Sequence, residues 1–418
     1  MEAGALRAHA QLEAIAAKLP AGKLISDQTK VVRELLLEQR PPRIALVGRR
    51  GSGKSSLINA LFGAEVAAVG HESAQTGAAT WFTFRAERGA IDILDTRGFQ
   101  EGAPPSSADP ARTAIASVRA ALDERCPDAV VFLVKAKEVD SAIEGDLESL
   151  RAVLEAVKKR HGASVPFVAL ATQCDELEPR STRLHADDEN ADDRREKLDR
   201  VHVIEHVLED RLKADNFMRD RLVRVLGVSA YQSWRRDGTV REDARWQIDL
   251  LVEHLLGELP GEARVELVRL SMIRKLQREL ANKLVHAVSM ACATIAATPI
   301  PIADLAVITP LQLTMVTGIA YVGGRSLDTR GVSEFLAAMG VNVGAGFVFR
   351  EAARALVKLI PVAGGLVSGA VAYAGSVALG KAAIAYFIDE RTGAEAKATM
   401  KEAHRAAKEE FERKPDVS

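Results

Sequence analysis

Gly48-Arg-Arg-Gly-Ser-Gly-Lys-Ser55 lies between a short apolar run, Arg43-Ile-Ala-Leu-Val47, and a helical stretch, Lys54 to Phe62. A strand that ends on glycine and passes straight into a helix opens a βαβ pattern. The alternation continues along the chain. Strands are expected over Trp81 to Arg85, Ala90 to Leu94, Ala129 to Val134, Pro166 to Ala171 and Leu222 to Gly227. Helical patterns separate them at Pro110 to Glu124, Ser141 to Arg160 and Arg194 to Lys213, and Asp243 to Leu256 closes the series. Helices of this length between strands imply an α/β domain with a six-stranded, mostly parallel sheet covered on both faces. The short link Ala86-Glu-Arg-Gly89 makes its two flanking strands a hairpin, so one strand runs antiparallel.

The glycine-rich loop matches G-x-x-x-x-G-K-[ST]. Its glycines let the backbone N–H groups of Gly48, Arg49, Arg50, Gly51, Ser52 and Gly53 turn toward phosphate oxygens. The helix start at Ser55 and Ser56 adds its dipole. Lys54 is placed to bridge β- and γ-phosphates, and Ser55 to ligate Mg²⁺. Asp95 ends the strand Ala90-Ile-Asp-Ile-Leu-Asp95, where a carboxylate holds Mg²⁺ directly or through water. Thr96-Arg97-Gly98 follows, and the Gly98 N–H is positioned to sense a γ-phosphate. Thr172-Gln173-Cys174-Asp175 resembles the base-reading pattern [NT]-[KQ]-x-D, whose aspartate accepts from the N1 and N2 hydrogens of guanine. Adenine offers no such donors, so Asp175 selects guanine. Val228-Ser229-Ala230 resembles the short loop whose backbone contacts guanine O6. All four segments sit at carboxyl ends of expected strands, the edge where open α/β sheets bind ligands. The expected ligands are GTP or GDP with Mg²⁺.

Gly53-Lys-Ser-Ser-Leu-Ile-Asn-Ala-Leu-Phe-Gly63 is similar to the signature of the Era/TrmE-like, translation-factor-related GTPases. The resemblance covers roughly residues 43 to 258 and implies a Ras-like P-loop GTPase fold. It also implies that Thr76 is the switch threonine completing the Mg²⁺ shell, with Thr80 the second choice. Two positions depart from better-equipped relatives. Phe99 follows D-x-x-G where Ras-like enzymes carry a water-orienting glutamine, which implies slow hydrolysis. Gly51 stands where potassium-stimulated relatives carry asparagine, so no strong potassium dependence is expected. Arg50, or Arg97 in the second switch loop, is the expected arginine at the γ-phosphate, acting in cis or across a homodimer of GTPase domains. The bland alternative is that these arginines are solvated or rest on neighbouring acids. A dynamin- or immunity-GTPase-like assembly and a scaffold that binds GTP without turning it over are the rival readings.

Beyond Pro260 the composition turns apolar. Arg264 to Ala297 reads as one long helix, and Leu305 to Gly324 and Leu359 to Gly380 contain no charged residue. Thr298-Pro-Ile-Pro-Ile-Ala-Asp304 with Thr309-Pro-Leu-Gln312 resembles the hydrophobic YcjF-type domain of unknown function, similar in plan to the helical half of the immunity-related GTPases. About 20 helical residues span roughly 30 Å, enough for a bilayer core. The two stretches are rich in Ala, Gly and Thr, however, and are broken by Pro or Gly. They form a hydrophobic hairpin, either buried in a helical bundle or placed in a membrane. The domain expectation is N-terminal helices over 1–40 packing on the helical domain, a GTPase domain over 41–260 with a charged, partly mobile insertion near 176–220, and an all-α domain over 261–418.

A net charge of −1 over 418 residues argues against a nucleic-acid partner, and the basic clusters Lys158-Lys-Arg-His161 and Arg235-Arg236 are short. Cys126, Cys174 and Cys292 form no disulfide or zinc pattern and fit a reducing compartment. His202-Val-Ile-Glu-His206 matches H-x-x-E-H but reads as a charged helix face. No signal-peptide core opens the chain. The expected location is the cytoplasm, with peripheral contact at the inner face of the cell membrane through the hairpin.

Overall fold

The computed structural model describes residues 39–66, 79–86, 89–95, 114–140, 143–185, 190–297, 303–325, 329–340 and 369–413. Thr76, Arg97, Gly98, Phe99, the N-terminal helices expected before residue 39, and residues 359–368 of the second apolar stretch lie outside these. The described residues fall into two compact units that meet in sequence between Ser271 and Met272.

The first unit is built on a six-stranded sheet of order β2-β3-β1-β4-β5-β6. Its strands are β1 (Arg43–Val47), β2 (Thr80–Ala86), β3 (Gly89–Asp95), β4 (Ala129–Lys135), β5 (Phe167–Thr172) and β6 (Leu222–Gly227). Only β2 runs antiparallel, paired to β3 from Thr80↔Asp95 to Ala86↔Gly89. β4 is buried from Ala129 to Val134 and β5 along its whole length, because a central parallel strand is covered by helices on both faces and needs apolar residues at consecutive positions. Between the strands run α1 (Lys54–Phe62), α2 (Ala114–Glu124), α3 (Glu144–His161) and α4 (Ala191–Lys213), with a short α5 (Asn216–Arg219) before β6. Ala45, Val47, Val130, Phe132, Phe167, Ala169 and Val225 form one continuous core with Val118 and Leu122 of α2, Leu150 and Val153 of α3, and Val201 and Leu208 of α4. The other face is covered by α1 and by α6 (Ile248–Glu258) and α7 (Gly261–Ser271), which pack on one another and on β3, β5 and β6.

Three features refine the sequence reading. The charged segment near 176–220 is largely the helix expected over Arg194 to Lys213, α4, which runs 23 residues and packs on β5 and β6 through Val201, Leu208 and Leu212. Residues 243–247 are not helical. β7 (Gln232–Trp234) and β8 (Val240–Asp243) form a small hairpin closed by Arg235 N–H to Thr239 O at 2.7 Å, and Gln247 turns left-handed (φ 58°) to start α6. Its signal was Asp237-Gly238, a pair that favours the tight turn between short strands. Third, the helix expected over Arg264 to Ala297 is broken at Met272, which is left-handed at φ 56°. α7 therefore ends on the sheet, where Glu266 and Leu270 close over Gly89, and the first unit extends to Ser271.

The second unit contains α8 (Arg274–Ala297), α9 (Ala303–Val322), α10 (Thr329–Ala338), α11 (Gly369–Phe387) and α12 (Gly393–Arg413). α11 is its spine, packed on α8, α9 and α12. Small residues let the backbones approach: a Cβ on Gly380 would collide with Val285 of α8 and lie 3.2 Å from Met315 Sδ of α9. Thr309-Pro-Leu-Gln312 lies inside α9, where buried Gln312 donates to Ser376 Oγ of α11 at 2.9 Å. Gln277 Nε2 of α8 reaches Val322 O at 3.0 Å. Among the described residues two helices are long and apolar enough to cross a bilayer, α8 and α11, with 61% and 67% of their apolar windows buried inside the protein. Core helices pass the same test of length and composition.

Candidate nucleotide site

The site is assembled at the carboxyl edge of the sheet, and each part has a local cause. β1 delivers the chain to Gly48, whose missing Cβ is required because one would lie 2.5 Å from Leu133 O and 2.7 Å from Ser52 Oγ. Gly51 (φ 77°) and Gly53 (φ 92°) hold the left-handed conformations that L side chains resist. Gly53 is also the N-cap of α1, so no side chain caps the first turn and no acid lies within it. The N–H groups that a helix start leaves without intrahelical partners are thus presented to an anion.

Lys54 is buried and its Nζ donates to Gly48 O and, at 2.9 Å, to Arg49 O, holding the ammonium within the loop. Ser52 Oγ is buried without a hydrogen-bond partner, an orphan of the kind a bound group satisfies. Ser55 and Ser56 are half-buried in the first turn of α1. Asp95 ends β3 in register with Leu46, two residues before Gly48, and faces Thr80 across the antiparallel pair. Thr80, the second choice for the switch threonine, is exposed at that position.

The base-reading segment is tied to the phosphate loop by two direct bonds. Thr172 Oγ1 donates to Ser52 O at 2.9 Å and also reaches Val134 O at 3.2 Å. Gln173, left-handed at φ 60°, donates through Nε2 to Gly51 O at 2.9 Å. The next loop is bound in as well. Val228 N–H donates to Ala171 O at 2.8 Å, and Cys174 N–H to Val228 O at 3.2 Å. Ser229 is fully buried and exchanges backbone bonds with Trp246 at 2.9 and 3.2 Å. Buried Cys174 is wedged behind the loop, and burial pushes its thiol up to about 12. Asp175 is half-buried at the loop's front. Lys54, Ser55, Asp95, Thr172, Gln173, Asp175, Ser229 and Ala230 therefore share one edge of the sheet.

The arginines part company. Arg49 Nε pairs at 2.9 Å with Asp146, which is buried in the first turn of α3. Arg50 is exposed on the loop. Asp146 went unnoticed in the sequence, because nothing marks a carboxylate 97 residues away as the partner of a loop arginine.

The match that decides the domain is to a family model. Residues 43–171 match that of the 50S ribosome-binding GTPase. The chain carries a P-loop GTPase domain. Residues 265–413 match the model of a domain of unknown function (DUF697), so both resemblances read from the motifs meet a matching family. No curated protein matches the chain significantly. Among solved structures, a variant of SsGBP is similar at 17% identity and TM-score 0.28, with 56% of this chain aligned. The chain spans about six-tenths of that protein, 61% of its length. Era in complex with MgGDPNP and a segment of 16S ribosomal RNA is similar at 19% identity and TM-score 0.33, covering 61% of this chain and 68% of Era. Toc33 from Arabidopsis thaliana in complex with Mg²⁺ and GMPPNP gives 15% identity and TM-score 0.33, covering 57% and 93%. The GTPase domain is thus assigned on its family match, its Ras-like sheet and its loop geometry.

Proposed function

We propose that the chain is a GTP-binding, slowly hydrolysing switch whose nucleotide state controls the helical domain at a membrane surface. The observation that supports it most is the convergence of Lys54, Ser55, Asp95 and Asp175 on one sheet edge, with Thr172 and Gln173 bonded to the phosphate loop. Gly48 to Ser56 hold the phosphates, and Asp175 with the Ala230 backbone holds the guanine; Ser229, buried and bonded to Trp246, sets the position of that loop. Ser55 and Asp95, with Thr76, hold Mg²⁺, which neutralises phosphate charge when bound. GTP and water give GDP and phosphate. Slow turnover is inferred from Phe99 alone, a residue without hydrogen-bonding capacity where water is oriented in Ras-like enzymes.

Arg50 rather than Arg49 is the arginine free to serve a γ-phosphate across a homodimer, because Arg49 is committed to Asp146. Single-turnover hydrolysis measured over a range of protein concentrations tests this. The rate per molecule is expected to rise with concentration in the wild type and to stay flat and low in Arg50→Ala. Identical profiles for the two proteins dismiss the arginine, and a rate no faster than uncatalysed hydrolysis leaves only the scaffold reading.

The membrane part is supported by the length and apolar composition of α8 and α11 alone, since most of each apolar window faces the protein interior. Flotation with anionic liposomes is expected to be greater with a non-hydrolysable GTP analogue than with GDP. Equal failure to float in both states removes the membrane from the proposal. Ribosome binding, part of the matched family's name, is left out of it. The basic clusters are engaged locally: Arg160 with Asp123 at 2.7 Å, Lys158 over the Phe217 ring, and Arg235 with Val240 O at 2.9 Å.

A further inference from the structure

α4 is unusual for a helix so rich in charge, because two of its ionisable side chains point inward. Lys197 is 1% exposed. Its ammonium has three N–H donors, and it places them on three backbone carbonyls of the segment that follows the base-reading aspartate. These are Asp175 O at 2.7 Å, Thr182 O at 2.8 Å and Pro179 O at 3.3 Å. Eight residues on, about 12 Å along the helix axis at 1.5 Å per residue, Glu205 Oε1 accepts the N–H of Gly227 at 2.6 Å. Gly227 is the last residue of β6, directly before Val228-Ser229-Ala230. A Cβ there would collide with Val201 of α4 and lie 3.2 Å from Cys174 Sγ, so helix, strand end and base-reading loop are in direct contact.

We infer that α4 is the positioning element of guanine recognition. Lys197 fixes the loop that aims the Asp175 carboxylate, and Glu205 fixes the start of the loop that carries Ser229. This rests on Asp175 reading the base. Neither Lys197 nor Glu205 is placed against the nucleotide; each acts through backbone that is. The chemistry favours this role over simple packing. An apolar residue at position 197 would be the cheaper way to fill a buried site, since burying a lysine disfavours its charged form. Burial does lower the Lys197 pKa, while the nearby Asp175 opposes the shift. A buried cation with every donor spent on one loop holds the shape of that loop. Glu205 answers with the opposite charge on an N–H donor, and His202 Nδ1 at 3.1 Å from its second oxygen steadies it. The H-x-x-E-H pattern is accounted for in the same way: its glutamate belongs to the sheet edge.

The experiment compares full-length proteins by titration with GDP and IDP, which lacks the 2-amino group that the second oxygen of Asp175 receives. Lys197→Met is expected to weaken GDP binding by about tenfold or more, the scale of one charge-assisted hydrogen bond lost. It is also expected to bring the GDP-to-IDP preference down toward unity. General destabilisation would weaken both ligands alike and leave their ratio intact, so an unchanged ratio overturns the inference. Should Lys197→Met fail to fold, Glu205 decides. Glu205→Gln keeps an acceptor for the Gly227 N–H and should bind GDP as the wild type does, whereas Glu205→Ala should not. Equal affinities for that pair also overturn it. Asp175→Asn tests the underlying reading separately, since the introduced amide donates to the 2-carbonyl of xanthine and should shift preference to XDP. If that shift is missing, the base assignment fails. If it occurs while Lys197→Met and Glu205→Ala behave as wild type, only the role of α4 fails.

Discussion

Lys54→Ala should lower affinity for GTP by roughly 10²- to 10³-fold, the equivalent of one or two charge-assisted hydrogen bonds at about 1.5–3 kcal/mol each. The effect is large because the loop concentrates so much on this one group. Gly48, Gly51 and Gly53 contribute only backbone, and Arg49 is turned away to Asp146. Lys54 is therefore the cation buried in the cradle itself, held between the carbonyls of Gly48 and Arg49. Hydrolysis should fall at least as far, since the same charge meets the phosphate oxygens where negative charge is greatest. The thermal stability of the protein should fall only modestly, because the shortened side chain vacates space in which water can take the place of the ammonium at those two carbonyls. Titration with a non-hydrolysable GTP analogue and a melting curve check both parts. Retained affinity would mean that phosphate is not bound at this loop.

Gly380→Val should have the largest effect on stability, and in the other unit. Gly380 lies where α11 crosses α8 and α9, with Val285 inside van der Waals range of any added Cβ and Met315 Sδ at 3.2 Å. Neither neighbour is a mobile surface chain: Val285 is 3% exposed and Met315 fully buried. Valine adds three carbons to a crossing with space for none. Overpacking of this kind costs about 3 kcal/mol or more once the helices must separate. For a unit of this size that is roughly a 10 °C fall in its thermal transition. Gly257 provides the contrast, since nothing lies within 4 Å of a Cβ there and it sits on the exposed side of α6. Gly257→Ala should leave stability equal or slightly higher, as alanine favours a helix interior by about 1 kcal/mol. Calorimetry of the two variants separates these outcomes, and GDP affinity should be unaltered in both.

How far the sequence anticipated this molecule depends on what kind of signal each part left. The strands β1, β3, β4 and β5 were legible because buried strands must be apolar at consecutive positions, and β3, β5 and β6 end on Asp95, Thr172 and Gly227. The loop Gly48 to Ser55 was legible because its glycines are demanded by backbone geometry that no other residue satisfies. The break at Met272 was not, because the apolar periodicity of α7 runs on into α8 and a single left-handed residue leaves no compositional trace. The hairpin β7–β8 was missed because its strands are three and four residues long and β8 is exposed throughout. Lys197 and Glu205 were lost in a helix whose charge density read as solvated surface. Periodicity sorts residues by type, and cannot reveal that one lysine among many points inward. Asp146 was hidden for a related reason: its partner is close only after folding.

Thr172 and Gln173 stand where asparagine and lysine are usual, and from the sequence they looked like a weakened version of a common motif. Their side chains instead stitch the base-reading loop to Ser52 and Gly51, 120 and 122 residues earlier in the chain. The two motifs are therefore one mechanical unit. A substitution at 172 or 173 that removes either donor would release a glycine-loop carbonyl as well as the base-reading loop, so a loss at the guanine end would be felt at the phosphate end.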